Sequence, residues 1–329
     1  MGAAGDDPAA RAPSHAHAVH GRLASAGALA AAVLAMGVLP ALAAETPVRD
    51  SAPAAMIRVS GFTTSDGVRL NVLEASPAPG TAGAAGEDAP VLAFIPGWSM
   101  PASIWQAQLA EFGTRFRVAA LDPRGQGDSE VPAHGYSIER RAEDLHEFIS
   151  RYPKVLIVAW SLGALEALHY LHRHGEASVA GMVIVDSSVG EEPAPARPEK
   201  GKGFVAELRR DRVQAVEGFM QAIFLRPQPR ERIEALRDSA LRMPLEASIS
   251  LFPSKMPRAH WRSATHGFSR PLLYVVTRQF AGQGTNLRKN RRGTKVVLFR
   301  EAGHALFVDE PERFNRLLDE FADRVMRAG

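Results

Sequence analysis

A serine, a histidine and several carboxylates in this 329-residue chain have the order and surroundings that nucleophilic catalysis requires. Ser161 lies at the centre of Ala159-Trp160-Ser161-Leu162-Gly163. The apolar run 155–159 before it reads as a buried strand, and 162–172 after it as a helix. Small residues two positions either side let the chain turn sharply and lift the hydroxyl to the apex of the turn. Alanine takes the first small position, where glycine is usual. A serine at a helix start often does no more than cap it, but the strand–turn–helix context favours a nucleophile. His304 follows Gly303 between the last strand and the last helix. Serine before histidine is the chain order such chemistry uses, and the loop carries the imidazole over the sheet edge, where it can take the serine proton. The turn Ile95-Pro96-Gly97-Trp98 follows another apolar strand. Its backbone N–H groups, with that of Leu162, form a candidate oxyanion hole. The glycine-rich stretch from Asp122 to Ser129 lacks the Lys-Ser/Thr of a phosphate loop and reads as a structural loop flanking the site.

These residues need a rigid frame, and the apolar pattern supplies one. Residues 56–62 and 69–74 flank the turn Ser65-Asp66-Gly67 and read as a hairpin. Strands are expected at 91–95, 117–121, 155–159, 179–185, 272–276 and 295–299, with helices at 102–112, 138–150, 162–172 and 311–326. Buried strands alternating with helices predict an α/β fold, a mostly parallel, doubly wound sheet. The alternation breaks between 190 and 268, where the chain is helical with no convincing strand. An insertion there reads as a helical cap over the carboxyl ends of the strands, where open α/β sheets bind ligands. The expected organisation is a core over 56–189 and 269–329, interrupted by a cap over 190–268.

The amino terminus reads differently. Arg22 precedes an uncharged apolar run, and Ala41-Leu42-Ala43 has a small-x-small pattern. This is the layout of a secretory signal peptide over 1–43, followed by a linker over 44–55. Gly27, Gly37 and Pro40 make the run a poor membrane span. Export to a periplasm or beyond is expected, with no stable membrane insertion after processing. The chain has no cysteine, which excludes disulfides, a thiol nucleophile and cysteine-ligated metals. A net charge of +3 with no clustered basic motif gives no nucleic-acid footprint. Residues 196–262 hold 14 Lys and Arg against 8 Asp and Glu, which either favours anionic substrates or only solvates the cap. Phe219, Met220, Ile223, Phe224, Phe252 and Trp261 either line an apolar substrate site or form the cap's own core.

Strand-Pro-Gly-Trp, Asp-Pro-Arg-Gly-x-Gly-x-Ser, the Ser161 turn and Gly303-His304 together resemble the α/β-hydrolase superfamily over about residues 56–327. The chain is most similar to the bacterial group labelled non-haem chloroperoxidases or esterases. The resemblance implies Ser161 as nucleophile, His304 as base, and the Trp98 and Leu162 amides as oxyanion hole. Many members carry histidine where Pro96 stands. The pattern departs at the third triad member. The acid usually follows the strand 272–276, but 277–292 contains no acid and is basic. Asp186, at the end of the preceding strand, is where certain haloalkane dehalogenases carry it, and is the expected acid. Asp309 is the rival by proximity to His304, although Asp309-Glu310-Pro311-Glu312 reads as a helix start with Asp309 as its N-cap. A histidine working without a carboxylate stays open.

The expected activity is cleavage of a small-molecule carboxylic ester or lactone through an acyl-enzyme, with no metal or organic cofactor. The rival readings are a cofactor-free perhydrolase and an inactive binding protein of the same fold.

Overall fold

The computed structural model describes residues 55–78, 80–81, 90–194, 203–251 and 256–327. The expected signal peptide, the linker up to residue 54 and Phe252 lie outside the described residues. The chain runs β1 (Arg58–Thr63), β2 (Arg69–Ala75), β3 (Val91–Ile95), α1 (Gln106–Phe112), β4 (Val118–Leu121), α2 (Ile138–Ile149), β5 (Val155–Trp160), α3 (Leu162–His174) and β6 (Val179–Val185). Five helices follow: α4 (Phe204–Arg210), α5 (Arg212–Ala222), α6 (Arg230–Arg242), α7 (Leu245–Leu251) and α8 (Arg258–Gly267). It closes with β7 (Leu272–Val276), α9 (Ala281–Asn290), β8 (Lys295–Leu298), α10 (Leu306–Asp309) and α11 (Pro311–Arg327).

The eight strands form one sheet in the order β1-β2-β4-β3-β5-β6-β7-β8. The β1–β2 and β2–β4 pairs are antiparallel and the others parallel. Every residue of β3, β5, β6 and β7 is buried, because helices cover both faces of the sheet. Side chains alternate between the two faces. Leu156, Val158 and Trp160 of β5 join one core with α1, α11 and residues of α4–α7; Val155, Ile157 and Ala159 join the other with α2, α3 and α9. Phe314, Leu318 and Phe321 are buried on one stripe of α11, each contributing about 1.5–3 kcal/mol of apolar burial. Ser137 caps α2 by accepting from the Arg140 amide, and Asp211 caps α5 by accepting from Gln214.

The expected helix over 102–112 begins as a 3-10 turn, Ala102–Trp105, and turns α-helical only after Trp105, whose backbone is non-helical. The basic run after β7 forms α9, which its two glycines hide from a propensity reading. Met220, Ile223 and Phe224 pack into the first core. Trp261 of α8 joins the second, on the α3 side. These apolar side chains therefore serve packing.

Candidate active site

Three strands that lead towards the site, β5, β6 and β8, are each tied to a neighbour one residue beyond the regular ladder. The Ser161 amide donates to the Val185 carbonyl at 3.0 Å, the Asp186 amide to Val275 at 2.8 Å, and the Phe299 amide to Val276 at 2.7 Å. Ser161 itself sits at φ 55°, ψ −122°, a backbone state that non-glycine residues rarely adopt. Such a conformation is held only where the surroundings determine it. Here β5 and α3 pull the chain from both sides.

The imidazole of His304 bridges two partners. Its Nε2 lies 2.8 Å from Ser161 Oγ and its Nδ1 2.8 Å from Asp186 Oδ2. An ionised carboxylate only accepts, so Nδ1 carries the proton and Nε2 accepts from the serine hydroxyl. The backbone around His304 is fixed by four bonds. Trp160 Nε1 donates to the His304 carbonyl at 2.9 Å, and the Phe299 bond fixes the loop's start. The Gly303 amide donates to Asp309 Oδ2 at 2.7 Å and the Ala305 amide to the Ile223 carbonyl at 2.8 Å. The last two join the loop directly or through Asp309 to the segment between α5 and α6.

Asp186 is fully buried at φ 42°, a left-handed state that aspartate and asparagine tolerate better than most residues. Its Oδ1 accepts from the Thr277 amide at 2.6 Å. Its Oδ2 accepts from Thr277 Oγ1 at 3.1 Å in addition to the imidazole. Thr277 stands directly after β7, where an acid was sought and not found, and it grips the carboxylate that comes from β6. Sequence reasoning missed this role. The signal was the position, a hydrogen-bonding residue at the vacated strand end. Tyr274 donates to the Ser187 carbonyl at 2.6 Å. Burial, then the charge of Asp186, push its phenol pKa well above the usual range, so it stays neutral.

Asp309 does something else. Its carboxylate accepts from the amides of Leu225 at 2.8 Å, Arg226 at 3.1 Å and Gly303 at 2.7 Å. It ends α10 and its carboxylate does not cap α11: the helix start at Pro311 stands, and the N-cap role expected of Asp309 is corrected. The physical reason is competition for a buried carboxylate: three amides converge on it from the insert and the His304 loop.

The turn after β3 lies against Ser161. A Cβ on Gly97 would sit 3.1 Å from Ser161 Cβ and 3.2 Å from the Trp160 ring, so a side chain here would make Ser161 or Trp160 give way. Trp98 is buried; its Nε1 donates to the Ser248 carbonyl at 2.8 Å and its ring meets Phe204 and Phe219 edge-on at 5.3 Å. Leu162 is the first residue of α3. Among the described residues no group of three or more His, Asp or Glu side chains is arranged to hold a metal ion.

The chain is similar to known proteins in sequence and in fold. The model of the alpha/beta hydrolase family matches residues 92–317. The pimeloyl-[acyl-carrier protein] methyl ester esterase of Vibrio cholerae is 28% identical over 244 residues, which cover 71% of this chain and 94% of that protein. An esterase from Exiguobacterium antarcticum superposes with a TM-score of 0.66 at 19% identity, covering 80% of this chain and 99% of the other. A bromoperoxidase from Bacillus anthracis gives 0.66 at 20% identity, covering 80% and 100%. The two structures speak for the fold. With more than half of its length matched by the family model, the chain belongs to the alpha/beta hydrolase family.

Proposed function

We propose that the protein is a serine hydrolase that cleaves a small carboxylic ester or lactone through an acyl-enzyme. The observation that carries this reading is the unbroken line Ser161 Oγ–His304 Nε2 and His304 Nδ1–Asp186 Oδ2, both at 2.8 Å. Ser161 Oγ attacks the carbonyl carbon while His304 takes its proton. Asp186 holds the productive tautomer and stabilises the imidazolium without accepting the proton itself. The carbonyl oxygen becomes an oxyanion facing the Trp98 and Leu162 amides. The imidazolium then protonates the departing alkoxide, and the ester C–O bond breaks. A water enters, gives its proton to His304, and its oxygen displaces Ser161 to release the acid. The methyl ester esterase similarity supports an ester as the bond cleaved. The line of hydrogen bonds supports an active enzyme over an inert binding fold.

Ser161→Ala deletes one hydroxyl and leaves the fold. It should lower kcat on a p-nitrophenyl ester by about 10³-fold or more and abolish fluorophosphonate labelling. Activity within tenfold of wild type would overturn the reading. Export belongs to the same proposal: the mature chain from its native host should begin near Ala44, and intact-mass detection of the full-length chain alone would refute it.

A further inference from the structure

The loop between Asp122 and Ser129 flanks the site, and one of its side chains, Gln126, reaches the turn after β3. Gln126 is buried and all of its polar capacity is used. Its Nε2 donates to the carbonyls of Gly97 at 3.1 Å and Met100 at 2.7 Å. Its Oε1 accepts from the Ser99 amide at 3.3 Å and from Arg141 Nη2 at 3.3 Å. Three of these four bonds go to the backbone of one turn, residues 97–100. That turn includes Ser99 at φ 56°, a conformation needing external support.

A trans peptide is a rigid plane in which C=O and N–H point in opposite directions. Holding the Gly97 carbonyl therefore sets the direction of the Trp98 N–H. Gln126 holds that carbonyl from one side, and Ser161 packs against Gly97 itself. Behind Gln126, Arg141 Nη2 also donates to Glu166 Oε2 at 3.2 Å, and Arg141 Nε lies 3.1 Å from Glu166 Oε1. Arg141 and Glu166 are each 1% exposed. Glu166 lies on α3, the helix whose first residue supplies the second amide. A buried polar chain, Gly97–Gln126–Arg141–Glu166, thus spans from the turn that carries one amide to the helix that carries the other.

We infer that Gln126 is a positioning residue of the oxyanion hole, orienting the Trp98 amide relative to the amide of Leu162. The inference rests on the reading of those two amides given above. Oxyanion stabilisation depends on where a donor points when charge develops, and loss of one donor lowers kcat by about 10²–10³-fold. A tilted donor loses part of this.

The test compares Gln126→Met and Gln126→Glu with wild type. Methionine keeps the shape and removes all four bonds. Glutamate keeps the acceptor facing Ser99 and Arg141 and replaces the donor that holds Gly97, so it separates loss of that donor from loss of packing. Two readouts are used on each: kcat and KM across the pH range on a p-nitrophenyl ester, and inhibition by phenylboronic acid, whose adduct on Ser161 places an oxygen in the hole. The expected result is a kcat loss of about 30-fold or more in both variants, with KM within about threefold and boronate affinity weakened by a similar factor. In Gln126→Met, which adds no titratable group, the midpoint of the acid limb should not move, because the His304–Asp186 pair is untouched. A kcat loss below threefold in Gln126→Met, or a loss there carried by KM or by a shifted pH limb, overturns the inference. Boronate that inhibits wild type well and either variant equally well overturns it while sparing the triad reading. Boronate that binds wild type and Ser161→Ala alike overturns the triad reading and this inference with it.

Discussion

Replacing Asp186 by asparagine isolates one proton. The backbone there is left-handed, which asparagine accepts as readily as aspartate, so the exchange leaves the loop in place. The carboxylate has two jobs in opposite directions: Oδ1 accepts from the Thr277 amide at 2.6 Å, and Oδ2 from the imidazole at 2.8 Å. An amide offers one oxygen and one NH2. If its oxygen stays on Thr277, the NH2 faces His304 Nδ1 and forces the proton onto Nε2. That nitrogen then donates to Ser161 and cannot take its proton. If the amide flips, two N–H groups oppose each other at a distance suited to a hydrogen bond, and a buried donor is orphaned at about 1–3 kcal/mol, with repulsion added. The inactive orientation therefore wins by a factor of about 5–140 before repulsion is added, since 1.4 kcal/mol is tenfold. The imidazolium also loses its negative neighbour. Together these should lower kcat by about 10⁴-fold. The assay is kcat on a p-nitrophenyl ester at saturating substrate, with the melting temperature measured on the same sample. A near-native melting temperature with kcat within tenfold of wild type would falsify the assignment of the acid.

Three further outcomes are expected. In Asp309→Asn at least one of three part-buried amides loses its charged acceptor, which costs about 1–3 kcal/mol of stability; kcat should stay within tenfold, and a loss above 100-fold with unchanged urea midpoint would contradict this division of roles. Gly303→Ala would place a Cβ 2.7 Å from the Ile223 carbonyl oxygen and 2.7 Å from the Leu225 amide nitrogen, both rigid backbone; overpacking of about 1–3 kcal/mol should shift His304 and lower kcat at least tenfold, and wild-type kinetics would show that the insert yields instead. Asp66 titrates at about 2 rather than 3.8, because burial, which raises it, is outweighed by hydrogen bonds from Arg124 and Thr64 and the charges of Arg124 and Arg140. The folded state thus holds the anion more tightly than the unfolded state, so this stability is present above about pH 4 and lost as pH falls towards 2. Urea midpoints from pH 5 to 2 should fall more steeply for wild type than for Asp66→Asn, and parallel curves would refute the pairing.

The parts of the site visible in sequence are those encoded locally. Buried parallel strands read as unbroken apolar runs, so β3, β5, β6 and β7 stand out, and Ser161 is marked by the strand and helix that abut it. His304 is marked by its place between the last strand and the last helix. Asp186 could be proposed because it ends a strand, but its partner lies 118 residues away. The clamp of Asp309 was out of reach for another reason. Its partners are backbone amides of residues 225 and 226, and an amide leaves no trace in residue type. Only the packing of the insert against the His304 loop turns a helix-capping pattern into a bridge. Gln126 was hidden by its surroundings, since the glycines beside it suggest a turn and say nothing of where a long side chain points. In α9, Gly282 and Gly284 lower helix propensity below what a periodicity reading can detect.

The bond from Ala305 to Ile223 and the three amides held by Asp309 bear on how such a protein can diverge. Ser161 and Asp186 hang from strands, so drift in surface residues of the insert leaves their spacing alone. His304 is different, because the segment 223–226 is stitched to its loop on both sides. Lineages that remodel the surfaces of α4 and α7 would leave the bonds that hold the His304 loop intact. Those that lengthen or shorten the α5–α6 connection would inherit a misplaced base and need compensation near residue 309. Selectivity and turnover are thus separable traits over most of the insert and one inherited unit at this seam.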